Sequence, residues 1–488
     1  MFVFRGLNFL FRLQENNTTV KTEIFAGLTT YLTMVYIVIV NPSILAISGV
    51  PSEQVFTATI IAAVFGTLWL ALFANYPIAM APGMGLNAFF TFSVVQASKG
   101  EIDYMTAFSA VFVAGIIFFI ISLTPLRQML VKAIPNNLKL AITAGIGLFI
   151  AFIGMRSAGI VTDDEATLVR LGDLSSPMVW LTIVGVLVTA IFMMYRVFGA
   201  IFWGMIVTAI LAALTGNVTF NGVISMPSLP EGILVWNPIE AFGDVIKYGL
   251  YGTVFSFILV TLFDTTGTMI GVAKQAGILK EDKLPRARQA FLGDSMATII
   301  GSMFGTSPST AYIESSSGVA VGGRTGLTSL VVAGLFVITL FFSPLAATLA
   351  SVPAITSPAL IIVGSLMIGV VRHIEWDKVE EAFPAFLVIL IMPLTSSISD
   401  GIAFGFISYP LFKLLKGKGK EVHPLLYLFA ILFIILLVIM SHQMKSLSFR
   451  ERLVLLVRKN HLGDYSIYVK TTGKVNLRTV NSASLSIS

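Results

Sequence analysis

The chain has 488 residues, of which 56% are apolar and 11% are charged, and its mean hydropathy is +0.90. These values lie outside the range of soluble globular proteins and indicate a polytopic membrane protein. The absence of cysteine excludes disulfides, thiolate chemistry and cysteine-ligated metals. The formal net charge of +6 does not indicate nucleic-acid binding, because the basic residues lie in loops and tails between apolar runs.

The first 23 residues are amphipathic, carry scattered charges and contain no small-residue cleavage site, so they predict a cytoplasmic surface helix rather than a signal peptide. Hydropathy then predicts fourteen spans, most of them close to the ~20 residues that a helix needs to cross a bilayer. The predicted spans are 24–41, 55–73, 79–97, 106–123, 138–155, 178–195, 198–215, 248–270, 288–304, 307–323, 327–345, 357–371, 383–398 and 401–415.

The loop charges predict the orientation of these spans. Basic clusters follow even-numbered spans, for example 127–139 after the fourth span, 274–288 after the eighth and 413–420 after the fourteenth. The loop after the fifth span, 163–173, carries four acidic residues and one arginine. Since positive loops stay inside, we expect a cytoplasmic N-terminus.

A further hydrophobic segment, "LLYLFAILFIILLVIMS", lies within 417–442. Two alternatives stay open: a helix in the cytoplasmic interface, which we prefer because the residues after it are basic, or an additional crossing that exports the tail. Residues 443–488 end in a serine-rich stretch and predict a weakly ordered tail.

Two pairs of unusual residues suggest an internal repeat. A proline break precedes Asn87 in the third span and Glu314 in the tenth, while Asn41 in the first span matches Asp264 in the eighth. Matching spans are seven apart, an odd number, so they would run in opposite directions through the membrane. The pattern therefore predicts a 7+7 inverted repeat, an arrangement that places substrates between the halves.

Helix-breaking Pro, Gly and Ser residues occur in both the third and the tenth span. Broken helices at membrane depth are tolerated where the freed backbone groups are buried in protein or line a wet cavity, and their termini can hold a flat polar solute. The alternative is that the small residues merely allow close helix packing. We take Ser315 and Ser316, directly after Glu314, as candidate binding residues.

The intramembrane acids carry the strongest functional signal, because a carboxylate at the bilayer centre costs roughly 2.5–3.5 kcal/mol on insertion scales. Thr261, Thr268 and Gly271 share a helix face with Asp264, and that face is expected to line a cavity. No Lys or Arg is predicted to meet these acids at membrane depth, so Asp264 and Glu314 would bind protons readily and are the candidates for proton coupling.

Asn87 is a further candidate binding residue, and four other polar residues are secondary candidates: Asn41, Thr268, Asp294 and Asp400. Asn41 and Asn87 can donate and accept hydrogen bonds to a ring solute, or they can cap or break helices. Asp294 and Asp400 lie near predicted span ends, where we favour solvated N-caps over ligand contacts. Thr268 joins this secondary group because it follows Asp264 by one helical turn.

Four segments resemble a known family: "AGLTTYLTMVYIVIVNP", "APGMGLNAFF", "LFDTTGT" and "AYIESSSGVAVGGRTGLT". They are similar to the signature segments of azaguanine-like (AzgA-like) purine permeases, a branch of the nucleobase cation symporter-2 (nucleobase–ascorbate transporter) superfamily. The resemblance covers about residues 15–440, and "GMGLNAFF" is similar to the guanine/hypoxanthine group. The tail after about residue 442 departs from the family's short end.

The resemblance implies an all-α, fourteen-span fold with core and gate domains. It also implies proton-coupled import of purine nucleobases by alternating access in the plasma (cytoplasmic, inner) membrane, with a homodimer as the candidate assembly. Carried over to this sequence, the binding residues are Asn87, Asp264 and Glu314, and Asp400 is a gate-domain position. The implied divisions are N-terminus 1–23, core 24–123 and 248–345, gate 124–215 and 346–416, extracytoplasmic loop 216–247, additional segment 417–442 and tail 443–488.

Other classes fit less well. "FLGD" and "RLGD" lack the Gly-x-Gly-Asp context of an intramembrane aspartyl protease, the four histidines form no ligand cluster, and no phosphate-binding loop is present. We therefore expect no enzyme, metal or cofactor. Two transport alternatives stay open, an adenine-selective or broader nucleobase permease and, more distantly, an anion transporter on the same architecture.

Overall fold

The computed structural model describes residues 2–124, 126–219, 222–227, 232–279 and 284–438, and the backbone of four short strands beyond them. This part of the chain is almost entirely helical, which confirms the predicted all-α class. The predicted tail 443–488 lies outside the described residues apart from those strands.

The helices are α1 Phe2–Phe11, α2 Val20–Met34, α3 Ile37–Leu45, α4 Ser52–Trp69, α5 Met84–Ala88, α6 Tyr104–Leu123, α7 Leu126–Ala133, α8 Asn136–Ser157, α9 Pro177–Met194, α10 Ala200–Leu214, α11 Pro238–Lys247, α12 Tyr251–Gln275, α13 Ala287–Phe304, α14 Ser315–Ala320, α15 Gly326–Thr339, α16 Ser343–Ala350, α17 Pro353–Ile368, α18 Val379–Thr395, α19 Ile398–Leu415 and α20 Pro424–Val438. The strands are β1 Met80–Pro82, β2 Val161–Asp164, β3 Leu168–Leu171, β4 Ser309–Ala311, β5 Val457–Lys459, β6 Tyr465–Ile467, β7 Lys470–Thr471 and β8 Lys474–Val475.

Each predicted span coincides with a helix or, in the third and tenth spans, with a strand followed by a short helix. Nine helices of the described residues are long and apolar enough to cross a membrane. The fourteen crossings stay a prediction, because several of the matching elements are shorter than a bilayer is thick.

The two broken spans meet in an antiparallel ribbon. β1 pairs with β4 so that Ala81 lies opposite Thr310, and the Gly83 N–H donates to the Pro308 carbonyl at 2.9 Å. Proline disfavours the helical conformation of the residue before it, which explains why Ala81 and Ser307 are not helical. α5 and α14 begin just beyond this ribbon, so each span is a strand that turns into a short helix.

The helices pack in two groups. One group surrounds the ribbon and contains α2, α4, α6, α12, α13 and α15, whereas the other contains α8, α9, α10, α17, α18 and α19. Two eight-residue helices, α7 and α16, connect the groups along the chain. The fold thus has two helical bodies, with most of the predicted site residues on the first.

Small residues allow close contacts within both groups, as the packing interpretation of the glycines predicts. A Cβ at Gly318 on α14 would lie 2.5 Å from the Ala26 carbonyl oxygen of α2, and a Cβ at Gly364 on α17 would lie 2.3 Å from the Gly147 carbonyl oxygen of α8. A larger side chain at either glycine would separate the helices. Packing therefore explains some of these glycines without a ligand.

A buried acid joins the two halves of the first group. Glu23 on α2 accepts hydrogen bonds from the backbone N–H groups of Arg324 at 2.9 Å and Thr328 at 3.1 Å, and from the Thr328 hydroxyl at 2.6 Å. Its carboxylate therefore caps the N-terminus of α15, where negative charge is favourable. Hydropathy could not identify the capping role of Glu23, because the residues that bond to it lie about 300 positions later in the sequence.

The additional hydrophobic segment forms α20, which packs along the bundle. Phe433 contacts the rings of Phe255 on α12 and Phe406 on α19, with centroid distances of 5.2 and 5.6 Å. Towards the start of α20, the Tyr427 hydroxyl donates to the Gly419 carbonyl. Towards its end, Leu436 packs on Gly252 at the start of α12. These contacts run from the end of α19 to the start of α12.

Candidate functional site

Asp264 lies on the wall of a cavity of about 780 Å³ between the two helix groups. Gly267 and Thr268 line the cavity with it, as the predicted polar face requires, although Thr261 is buried in the packing. The Thr310 side chain, on β4, lies beside the Asp264 carboxylate. The carboxylate is thus next to the ribbon and faces open space.

The opposite wall of this cavity comes from α8, α18 and α19. Glu381 accepts hydrogen bonds from Asn137 at 2.7 Å and from the Tyr409 hydroxyl at 3.1 Å, and it pairs with Lys413 at 2.7 Å. Sequence reasoning missed this cluster because it counted Lys413 among the loop charges. Each polar group of the cluster has a partner, so the wall is rigid.

The cavity opens at the end of the bundle that was predicted to be cytoplasmic. The exposed residues His373 and Glu375 and the half-buried Lys139 line the same cavity as Asp264. Water therefore has a path from this face of the protein to the Asp264 carboxylate.

Glu314 lies at the N-terminus of α14 and lines a second cavity of about 420 Å³. Its carboxylate accepts a hydrogen bond from the Tyr36 hydroxyl at 2.5 Å. The backbone N–H groups of Ser315, Ser316 and Ser317 donate to carbonyls of the preceding turn, so these three N–H groups are not free to bind a solute. Tyr36, which the sequence did not single out, supplies the donor instead.

The two acids lie on either side of the same turn. Ile313, directly before Glu314, lines both cavities, and Tyr312 ties the turn to the first half because its hydroxyl donates to the Pro82 carbonyl at 2.6 Å. In the described part of the chain, neither Asp264 nor Glu314 takes part in an ion pair. The site therefore joins two uncompensated carboxyl groups at one break.

Asn87 lies on α5 and is fully buried. Its side-chain oxygen accepts a hydrogen bond from the Ser307 hydroxyl, while its side-chain nitrogen has no partner among the described residues. A buried donor without a partner costs about 1–3 kcal/mol. It lines neither of the two cavities beside the acids.

Asn41 is also buried and donates to the hydroxyls of Thr59 at 2.6 Å and Thr306 at 2.8 Å. Its side-chain oxygen has no partner among the described residues. Together, Asn41 and Asn87 hold Thr306 and Ser307, the two residues before the proline of the tenth span. The structure therefore gives both amides a bracing role at the break.

The other candidates are placed less centrally. The Ser315 hydroxyl accepts from the Ala79 N–H at 3.0 Å and joins the two breaks, while the Ser316 carbonyl accepts from Gln275 at 3.2 Å. Asp400 lies in the first turn of α19, and its N–H donates to the Ser397 hydroxyl at 3.2 Å. The helix begins at this Ser397 cap, with Asp400 beside it.

The predicted N-cap role of Asp294 is wrong. Asp294 lies within α13, is fully buried and pairs with Arg127 at 3.0 Å, and Thr265 donates to its other oxygen at 3.2 Å. Arg127 was assigned to a cytoplasmic loop, but its side chain is long enough to reach into the bundle. A basic residue therefore does enter the membrane region, although it pairs with Asp294 rather than Asp264.

Among the described residues, no cluster of three or more His, Cys, Asp or Glu side chains could hold a metal ion.

The chain is similar to known permeases along most of its length. The Permease family model (Xan_ur_permease) matches residues 21–404. The chain is 64% identical to the guanine/hypoxanthine permease PbuO of Bacillus subtilis over 88% of this chain and all of that protein. It is 46% identical to PbuG of the same organism, over 87% of this chain and 98% of that one. It is 43% identical to the adenine permease AdeP of Escherichia coli, over 88% of this chain and 95% of that one.

Solved structures share the fold. The transmembrane domain of the cyanobacterial bicarbonate transporter BicA matches with a TM-score of 0.58 at 16% identity, over 78% of this chain and 97% of that one. SLC26A9 matches with a TM-score of 0.58 at 13% identity, over 85% of this chain and 69% of that one. These matches confirm the predicted inverted-repeat architecture of core and gate. The chain is a membrane transporter rather than an enzyme, and it belongs to the Permease family, in the azaguanine-like branch of the nucleobase cation symporter-2 superfamily.

Proposed function

We propose that this protein is a proton-coupled symporter that imports the purine nucleobases guanine and hypoxanthine by alternating access. The observation that carries the proposal is the presence of two carboxyl groups that form no ion pair within the described residues: Glu314 at the break of the tenth span, and Asp264 on α12 beside it. The names of the two Bacillus subtilis relatives support the choice of substrate.

Glu314 is the proposed purine-binding acid. Guanine presents N1–H and a 2-amino group on one edge, and hypoxanthine presents N1–H, so a carboxylate can accept these hydrogen bonds. The Tyr36 hydroxyl holds one carboxylate oxygen in place and leaves the other for the base. Asn87, Ser315 and Ser316 belong to the proposed site, with Asn87 offering its unpaired amide nitrogen.

Asp264 is the proposed residue of proton exchange. Its carboxylate lies beside the Thr310 side chain, has no cationic partner among the described residues and faces a cavity that reaches exposed residues. Removal from bulk water favours the neutral form of a carboxyl group. A proton can therefore bind Asp264 from one side of the membrane and leave to the other. Thr268 beside it is a secondary candidate.

The two helix groups support the core and gate division at the residue ranges given above. In this proposal the first group carries the purine past the second, and the 780 Å³ cavity is the path to the cytoplasm in an inward-facing state. The protein would lie in the cytoplasmic membrane with its N-terminus inside. Proton coupling, orientation and a homodimer are parts of the proposal, and Asp400 is a secondary gate position.

Competition for uptake tests the substrate. Cells that lack their own purine permeases would express the chain and take up radiolabelled hypoxanthine, challenged with guanine, adenine, uracil, sulfate or bicarbonate. We expect strong inhibition by guanine and none by adenine or the anions. Adenine uptake at comparable affinity would favour the adenine-selective alternative, and inhibition by an anion would favour the transport class of the structural neighbours.

Energetics form the second part of the test. Uptake should rise at acidic external pH and collapse with a protonophore, while replacement of sodium should change little. The Glu23→Gln variant serves as a matched acidic control, since the fully buried Glu23 carboxylate caps α15 and lies outside the proposed site. Uptake that follows sodium instead of protons would refute the proposed coupling.

A further inference from the structure

The buried ion pair between Arg127 and Asp294 has no role in the proposed binding site. Arg127 lies on the connecting helix α7 and Asp294 on α13, with Nη2 and Oδ2 3.0 Å apart and side chains 1% and 0% exposed. We propose that these two are positioning residues for Asp264 and link its orientation to the movement of α7. This inference rests on the proposed proton-coupled transport.

The surroundings of Arg127 show a built site rather than a chance contact. Its guanidinium lies between the rings of Phe118 and Phe291, at 4.3 and 3.8 Å from their centroids. Nη1 also donates to the Ser122 hydroxyl at 3.2 Å and to the Phe291 carbonyl at 3.3 Å. A buried ion pair contributes little net stability in many proteins, whereas loss of one partner is costly, so such pairs are better understood as devices of specificity.

The pair holds the helical turn that carries Asp264. Thr265 donates to Asp294 at 3.2 Å, and Arg127 Nη2 lies 3.5 Å from the Thr266 hydroxyl. These two threonines directly follow Asp264 in α12. The turn is therefore clamped by the pair while the Asp264 carboxylate points to the cavity and to Thr310.

The connecting helix makes this clamp relevant to movement. α7 joins α6 of the first helix group to α8 of the second, and Arg127 lies in its first turn. When α8 moves relative to α6, the displacement acts on Arg127 and, through the two threonines, on the orientation of Asp264. Proton binding and domain movement would thus be coupled through one side chain.

The second connecting helix, α16, lacks such an ion pair among the described residues. The sequence "TPLRQML" before and within α7 resembles "SPLAATL" at α16, and Ala346 stands at the position of Arg127. α16 packs on α3, α4 and α17, and no ion pair of the described residues involves it. The structure therefore ties only one of the two connections to the proton site.

Several other titratable groups surround Asp264, and they set the background for any pH profile. Across the cavity lie groups of the second helix group, and Glu314 and Tyr312 lie on the neighbouring turn. These groups are Lys139, His373, Glu375, Glu381, Tyr409, Tyr312, Glu314, Asp294 and Arg127. The variants described next leave all of them in place except the proposed pair.

The central test is the double variant Arg127→Gln/Asp294→Asn, which neutralises both partners and leaves no lone buried charge. We expect normal amounts in the membrane, a displaced pH profile of guanine uptake and about a tenfold lower accumulation, within the usual range of coupling between two sites. Downhill exchange should change less than accumulation. The single variant Arg127→Lys keeps the positive charge. Its pH profile of uptake should lie closer to that of the wild type than the profile of the double variant does.

Glu23→Gln is the matched control, because Glu23 is a fully buried acid of the same helix group that contacts none of these residues. We expect it to lower heat stability and to keep the wild-type pH profile. A double variant that behaves in the same way would overturn the inference and show a purely structural pair.

A second measurement is independent of transport. The chain contains no cysteine, and a Cβ at Gly267, on the cavity wall beside Asp264, would meet no atom within 4 Å. In Gly267→Cys protein, the double variant should change the rate of maleimide labelling severalfold, while Glu23→Gln should not. Equal rates would overturn the inference. Absence of acid-dependent uptake in the wild type would instead refute the proposed function.

Discussion

The two inverted halves place different chemistry at matching positions. The first half supplies amides, Asn41 and Asn87, and the second half supplies acids, Asp264 and Glu314. Both amides are fully buried and hold the residues before the break of the tenth span, whereas both acids line cavities. The two halves thus share a backbone arrangement but differ in the role of their side chains. The amides of the first half hold the site in place, and the acids of the second half supply its charges.

The largest effect is expected when an acid of the second half is replaced by an amide. Asp264→Asn makes the second half as neutral as the first, and an amide does not accept a proton at physiological pH. We expect loss of uphill accumulation, with purine binding and downhill exchange retained in part. Concentrative uptake measured beside equilibrium binding checks this, at confirmed membrane levels. Accumulation against a gradient in this variant would show that Asp264 does not carry the coupling proton.

Glu314→Gln should have the next largest effect. The variant keeps the shape but loses a charge-assisted hydrogen bond to the base, which costs roughly 1.5–3 kcal/mol, or about tenfold to a hundredfold in affinity. Equilibrium binding of guanine measures it. Tyr36→Phe is the control, since it removes only the hydroxyl that holds the carboxylate, and a loss of about fivefold is expected. Normal binding by Glu314→Gln would remove this acid from the site.

Asn87→Asp tests whether an amide of the first half binds the purine or only supports the structure. The substitution keeps an oxygen for the Ser307 hydroxyl but removes the unpaired amide donor. If that donor serves the purine, affinity should fall about tenfold, the value of one buried hydrogen bond. Ser307→Ala removes the bracing bond and keeps the donor, so it should lower heat stability more than affinity. If Asn87→Asp left the purine affinity unchanged, Asn87 would have only a structural role.

Asp400→Asn should have the smallest effect, with less than about a twofold change in uptake. The capping bond at the start of α19 runs from the Asp400 backbone N–H to the Ser397 hydroxyl, so the substitution leaves it in place. Initial rates of guanine uptake at several pH values test this. A large change in rate or in pH profile would move Asp400 into the transport cycle.

Local sequence predicted the elements and the breaks, because hydropathy and proline act within a few residues. The membrane spans, the prolines of the two breaks and the cavity-facing position of Asp264 are all of this kind. The partners of charged residues could not be predicted in the same way. Arg127 reaches Asp294 across 167 residues, and Glu23 caps a helix more than 300 residues later. Which loop cation enters the bundle depends on the fold as a whole.

The ribbon of β1 and β4 also constrains how the chain is made. The strand that pairs with β1 lies more than 220 residues later in the chain, and at about 5–20 residues per second the ribosome needs roughly 10–50 s to deliver that strand. Unpaired backbone is unfavourable in lipid, so the third span would wait inside the translocon or beneath its neighbours until the tenth arrives. Synthesis stalled between the two spans should leave a protease-sensitive intermediate in the membrane, and release of the stall should protect it.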